Sequence, residues 1–429
     1  MVTTIKTWTS LINQFSPVFT VPTFQVFVSL MTGWILCTTR RTTTGIIPFA
    51  DPQRKRPHDA FHRIFPDARW ATSELWRLLT ILLVAVFYPT GIIILYLDDT
   101  VFHRSGRKVH GASWHRDAVR STGTKMVYAW GLKLVVLTIC VKAPWGGEPL
   151  GLPINMRLFR KGKSNLIDLA EEMLREVVQW LPQREFVACG DGFYTTLVGR
   201  PIRQVEFISR IRYDAKLFAL PAKKPKHKRG PHPKKGRRLA NPQTMATRVT
   251  SWKKVHTDER GKARQRQVYT RVVLWYEVSH QPVLLTISRD PEGIEEDDYF
   301  VCSKVERSAT DVVNIFSGRW CIEDTFKNTK QYLGAEEPQT WKGPGPQRAA
   351  MLGCWLYSLV WLWYLLQKKN NRKLPKIPWY PHKPYPSFQD ALACLRRVLW
   401  KERIKVLFGK TSVHDKVFEF LIEALASAA

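Results

Sequence analysis

Residues 81–97 read ILLVAVFYPTGIIILYL and run directly into Asp98 and Asp99. One regular element cannot hold that stretch. Pro89 lacks a backbone donor and fixes its own φ, Thr90 and Gly91 favour a turn, and the aliphatic run at 92–97 suits a strand buried on both faces. The segment therefore reads as the end of a helix, a turn and an interior strand, not as a membrane span. A buried strand that delivers two carboxylates commits the chain to an internal sheet with acids at its rim.

The surrounding pattern supplies the rest of that sheet. VPTFQVFVSLMTGWILC, DPQRKRPHDAFHRIF and TSELWRLLTILLVAVF show helical periodicity, and Thr72 or Ser73 is the expected cap of the third helix. KMVYAWGLKLVVLTICVK (125–142) and EPLGLPINMRLFRK (148–161) read as strands, NLIDLAEEMLREVVQWL (165–181) as an amphipathic helix, and EFVACGDGF (185–193) as a short strand. VEFISRIR, QVYTRVVLWYEV, PVLLTISRD and YFVCSK are further strand candidates. This order gives an α/β fold with a mixed central sheet flanked by helices. The expected division is a helical front part at 1–90, a core begun at 91–204, a β-rich insertion at 205–305, the core resumed at 306–370, and a Pro-rich linker with C-terminal helices at 371–429. MLGCWLYSLVWLWYLL (351–366) falls short of the roughly 20 residues a bilayer requires, so it is expected as a core helix.

Charge narrows the partner. Lys and Arg number 66 against 36 Asp and Glu, a net +30, which points to a polyanion and first to nucleic acid. The cations are spread through the sequence and not gathered in one juxtamembrane cluster, which argues against a membrane surface. The densest run, KKPKHKRGPHPKKGRR at 223–238, contains Lys223, Lys224, Lys226, Lys228, Arg229, Lys234, Lys235, Arg237 and Arg238 with no acid. Its prolines and glycines predict a loop; contact with phosphates would release counterions, while a solvated loop is the ordinary alternative. Seven cysteines are scattered without C-x-x-C spacing, and MVTTIKTWTSLINQF lacks the pattern of a signal peptide. The expected setting is reducing and cytoplasmic, associated with the nucleoid.

The stretch SGRWCIEDTFKNTKQYLG (317–334) reads as one amphipathic helix. On it Glu323 shares a stripe with Arg319, Lys327 and Lys330, close to Phe316, while Ile315, Ile322, Phe326 and Leu333 form the neighbouring apolar stripe. Weak pairs one turn apart would explain these charges by themselves. Yet Asp98 and Asp99 follow one strand and Asp191 follows another, so acids distant in sequence can converge with one from a helix. Such oxygens suit hard divalent cations, Mg²⁺ or Mn²⁺, and two ions would serve phosphoryl transfer. Asp191, within Gly-Asp-Gly, also fits a plain turn.

These residues resemble the insertion-sequence DDE transposases, whose catalytic domain is RNase H-like. The resemblance is to the branch with the signature Tyr-x2-Arg-x3-Glu-x6-Lys, matched here by Phe316, Arg319, Glu323 and Lys330. It extends to LDDT (97–100), FHRSGRKVHGASWHRDAVRS (102–121), CGDGFY (189–194), RW-x-IE-x-F (319–326) and ARWATSELWRLL (68–79). The resemblance implies that Asp98, Asp191 and Glu323 bind the metals, that Arg319 and Lys330 hold phosphates of the transposon end, and that the insertion after Asp191 helps shape hairpin intermediates at the ends. Asp98 fits the motif better than Asp99, which remains the alternative ligand. Phe316 departs from the signature by losing a hydroxyl while keeping an aromatic face for stacking. The implied activity is cleavage of double-stranded DNA at transposon ends and strand transfer into target DNA, with a homodimer as the active complex and no membrane. The alternatives are a basic DNA-binding relative without catalysis and a nuclease that cuts without joining. Trp252, Trp275, Trp320 and Trp341 are stacking candidates, Trp320 being expected in packing. His103, His110 and His115 show no metal-site spacing.

Overall fold

The computed structural model describes residues 7–117, 120–222, 232–368, 382–408 and 415–427. The turn at Pro89 and Gly91 separates five helices, α1 (Trp8–Asn13), α2 (Val21–Leu36), α3 (Thr43–Ala50), α4 (His58–Arg63) and α5 (Thr72–Phe87), from the first strand, β1 (Ile93–His103). The helix read across DPQRKRPHDAFHRIF contracts to α4, because Pro52 and Pro57 break its first half and the Asp51 carboxylate accepts the Arg56 N–H there. The start of α5 is also corrected: Ala71 is its N-cap, no side chain caps it, and Thr72 already lies in the first turn.

β1 does not stop before its acids. It continues through Asp98 and Asp99 to His103, because β3 (Tyr128–Val141) pairs with it antiparallel as far as His103↔Gly131. The far edge of β3 is shared by β2 (Ser113–Arg116) and β4 (Leu150–Phe159). After α6 (Leu166–Trp180), β5 (Phe186–Gly190) lies parallel to β1, and β6 (Val205–Arg210) lies parallel to β5. α6 buries Leu166, Leu169, Ala170, Met173, Leu174 and Val177 at helical spacing, and Asn165 caps it by accepting the Ile167 N–H. Next come α7 (Pro242–Arg248), β7 (Lys253–Glu259), β8 (Lys262–Val273), β9 (Val283–Arg289) and β10 (Asp298–Cys302). These strands extend the same sheet, in the order β2-β3-β1-β5-β6-β10-β9-β8-β7, with β4 beside β3. The result is a mixed ten-stranded sheet flanked by helices, in keeping with an RNase H-like fold.

The far hairpin of the wide sheet reaches back to the loop between β3 and β4. β7 and β8 are joined by Arg260 and Gly261, both at positive φ as a two-residue hairpin turn demands. That tip rests on Gly147: a Cβ at Gly261 would lie 2.3 Å from the Gly147 carbonyl carbon, and Arg260 pairs with Glu148 at 2.8 Å. The sheet's concave side receives α8 (Ala309–Gly318), where Asn314 accepts the Asp258 N–H at 2.9 Å. The chain then forms α9 (Cys321–Gln331), α10 (Gly345–Leu366), α11 (Phe388–Phe408) and α12 (Asp415–Ser427).

α10 is longer than the run at 351–366, since the residues from Gly345 join it. Among the described residues it is the one helix long and apolar enough to cross a bilayer, and it is buried inside the fold. The front helices pack on it. Trp355 meets Phe15 and Phe27 edge-to-face at 4.8 and 5.4 Å, contacts worth about 0.5–1.5 kcal/mol each beyond their buried area. Arg348 donates to the Phe65, Ala68 and Trp70 carbonyls, and Trp34 Nε1 donates to the Leu333 carbonyl at 2.7 Å. The front helices and α10 thus hold α9 against the sheet. Most of the linker at 373–388 lies outside the described residues, and two helices follow it as read.

Candidate active site

Strand register brings the first two acids together. β1 and β5 are parallel neighbours with Leu97 opposite Gly190, so Asp98 and Asp191 occupy the next positions on strands about 4.8 Å apart. β5 ends there, and Asp191 turns the chain into a short 3-10 helix at 192–199, its Oδ1 accepting the Phe193 N–H at 3.1 Å. The third acid arrives on α9. Thr325 fixes that helix by donating from its buried hydroxyl to the Gly151 carbonyl at 2.6 Å, and a Cβ at Gly151 would sit 2.9 Å from Cys321 Sγ.

The single helix expected over 317–334 is in fact two. α8 ends at Gly318, where any Cβ would lie 2.3 Å from the Tyr96 hydroxyl, and Arg319 and Trp320 form the joint to α9. This contact with β1, which no local pattern reveals, turns Arg319 toward the sheet. Arg319 Nη1 donates to Asp98 Oδ2 at 2.8 Å, and Nη2 lies 3.5 Å from Glu323 Oε1. Ile315, Ile322, Phe326 and Leu333 are buried, as their stripe predicts.

One guanidinium thus serves several acids. Burial pushes the Asp98 carboxyl up to about 7, opposed by Arg319 and reinforced by the charge of Asp191. Burial also raises Asp191 and Glu323, again against the pull of Arg319. Burial disfavours charge on Arg319, but Asp98, Glu323 and Asp191 help to keep its pKa above the usual value. Carboxylates in this condition gain from any further cation.

Asp99 faces elsewhere. It pairs with Lys133 at 2.9 Å and accepts the Tyr194 hydroxyl at 3.0 Å, though its charge still reaches Asp191. Lys330 turns inward, donating to the Val101 carbonyl at 2.7 Å and lying 3.6 Å from Glu336. Lys327 is exposed on α9. Phe316 lies 4.7 Å from Phe300 at a tilt of 46°, with Arg210 and Arg319 over its ring, so much of the ring is already covered. Lys223, Lys224, Lys226, Lys228 and Arg229 lie outside the described residues. Lys234, Lys235, Arg237 and Arg238 are exposed; the last two line a separate concavity with Arg248 and Arg271. Trp320 is 44% exposed under Arg260, a correction to its expected packing role, whereas Trp275 is buried.

The site opens into a cleft of about 750 Å³ whose far wall is the β7–β8 hairpin. Arg210, Arg260 and Arg264 line it in ion pairs with Asp298, Glu148 and Glu295, beside Lys262, and sequence reasoning missed them. The signal was present: Glu-Arg-Gly-Lys at 259–262, between two strand-like segments, is a hairpin turn rich in cations.

The donor chemistry suits a hard divalent ion: three carboxylates, all raised by burial, and no thiolate or imidazole among them. Among the described residues, no three acid, His or Cys side chains are already gathered as a cage. Arg319 stands between Asp98 and Glu323 in the place of such a charge.

A mixed sheet of this order, with acids on β1, after β5 and on a helix packed across them, is consistent with an RNase H-like fold. Residues 14–282 match the family described as DDE superfamily endonuclease, and the chain belongs to that family. The matched span includes Asp98 and Asp191 and ends before α8 and α9. Comparison with curated proteins finds no match.

Proposed function

We propose that the protein is a divalent-metal-dependent DNA transposase that cuts double-stranded DNA at transposon ends and joins them to target DNA. The observation that carries this reading is the meeting of Asp98 and Glu323, distant in sequence, on the Arg319 guanidinium beside Asp191. Asp98, Asp191 and Glu323 would hold Mg²⁺ or Mn²⁺. When bound, such ions supply an activated water or 3′-hydroxyl and a counter-charge for the leaving oxygen.

The chain's own residues do the positioning. Arg260, Lys262 and Arg264 on the hairpin receive the phosphates that flank the scissile bond, and Trp320 offers an aromatic face beside them. Arg319 is the residue that a phosphate would draw from the acids. Its guanidinium can pair with two phosphate oxygens in the plane it now presents to Asp98 and Glu323. A homodimer and a nucleoid-associated cytoplasmic setting complete the proposal.

Purified protein with labelled duplex carrying the element ends and Mg²⁺ provides the test. Cleavage together with a joined product is expected, and Glu323→Gln should abolish both while leaving DNA binding nearly intact. Cleavage without joining would reduce the protein to a nuclease. Binding without cleavage would leave a non-catalytic relative.

A further inference from the structure

Past Asp98, β1 leads to a second concavity of about 810 Å³, formed by the loop after the strand and by the segment that follows α9. Lys330 stands between it and the acids, tied to β1 through the Val101 carbonyl and to Glu336 across the opening.

The cleft is cationic in effect. Arg40, Arg107 and Lys108 are exposed along it and pair with no acid among the described residues. Its two acids are occupied: Glu336 accepts the His103 N–H at 2.8 Å and faces Lys330, and Glu337 accepts the Arg41 N–H. Arg104 lines the floor. Its Nη1 donates to the Glu336 carbonyl, but Nε and Nη2 are closed off from bulk solvent and have no acceptor. A buried guanidinium with unmet donors favours a ligand that brings oxygens to it.

Trp341 forms the other wall and is 49% exposed. The His110 N–H holds its carbonyl at 2.9 Å, so the residue is fixed at the backbone, while Lys342 Nζ stands 5.2 Å over one face of its indole and about half of the side chain stays open to solvent. A paired duplex would satisfy the cations and leave that ring unused, since its base faces are stacked on one another. An unpaired nucleotide satisfies both, with phosphate on the arginines and base on the indole.

We propose that this cleft is a subsite for an unpaired segment of the DNA strand whose scissile phosphate lies at Asp98, Asp191 and Glu323, with Arg104 receiving a phosphate and Trp341 stacking on a base. The proposal rests on the DNA-cutting reading above, so its test is made without cutting.

The full chain is mixed, in EDTA, with two fluorescent probes: a blunt duplex, and the same duplex bearing a short single-stranded oligoadenylate extension. The extended probe should bind more tightly. Trp341→Ala should cost it about tenfold in affinity while sparing the blunt duplex, and Trp341→Phe, which keeps a ring, should restore most of that loss. Arg104→Gln should weaken the extended probe more than the blunt one. Equal affinity of the native chain for both probes, or equal losses in Trp341→Ala, would overturn the subsite and leave the DNA-cutting reading standing. Failure to bind either duplex would sink both.

Discussion

Asp98 and Asp99 are adjacent in sequence and opposite in circumstance. A strand sends successive side chains to opposite faces, so Asp98 looks toward α8 and α9 and Asp99 toward the other face of the sheet. There Asp99 has a lysine from β3 at 2.9 Å and a tyrosine hydroxyl from the 3-10 helix after β5 at 3.0 Å, a locally balanced set. On the other side Asp98 shares a single guanidinium with Glu323, with Asp191 close by, and its carboxyl is pushed up to about 7. One face of β1 is electrically settled and the other is held in deficit of positive charge. That deficit separates the face proposed to do the chemistry from its neighbour more clearly than the presence of acids does.

The comparison can be broken most directly by exchanging the two acids' fates. Asp98→Asn should lower DNA cleavage by about a thousandfold or more, the scale of losing several kcal/mol of metal-borne stabilisation. Asp99→Asn should retain measurable cleavage. Rates measured on the same labelled duplex decide it, and comparable losses in both would erase the distinction between the faces. Removal of the shared cation comes next. Arg319→Ala leaves buried acids without their partner and should cost about 3–5 kcal/mol in urea unfolding. Adding Asp98→Asn to it should cost less than the sum of the single changes, because both act on one cluster; strict additivity would show that the two do not communicate.

The settled face responds more mildly. Lys133→Met should lower stability by about 1–3 kcal/mol through the unpaired Asp99 and leave the position of cleavage unchanged. A shifted cleavage site would bring Asp99 into the working set. Tyr194→Phe, which removes one donor to Asp99, should have the smallest effect, about 1 kcal/mol by thermal or urea unfolding with cleavage preserved.

What the sequence discloses follows from where each determinant resides. The turn at 89–91, the amphipathic α6, the short β5 and the apolar stripe through Ile322 and Phe326 are local patterns, and the structure contains them. β1 runs on through two aspartates because β3 pairs with it, which overrides a poor strand composition. The joint at Arg319 exists because Gly318 meets Tyr96, more than two hundred positions away in the chain. β7 reads KKVHTDE, too polar to announce itself, and is a strand because β8 pairs with it along its length. Of the candidate site, the acids could be named as candidates from the sequence; the contacts of Arg319 with Asp98 and Glu323, the inward turn of Lys330 and the ion-paired hairpin wall could not, since all three depend on elements brought together from remote parts of the chain.

The reach of the far hairpin has a consequence for the protein's life in a crowded solution. A wide sheet offers backbone donors and acceptors along its outermost strands, and these are templates for stray pairing with another polypeptide. Here the outer strand β7 gives its Asp258 N–H to Asn314, and its hairpin tip is folded down onto Gly147 beside the opposite margin. The β7 rim is thus partly answered from within the molecule, by the same hairpin that walls the acid pocket.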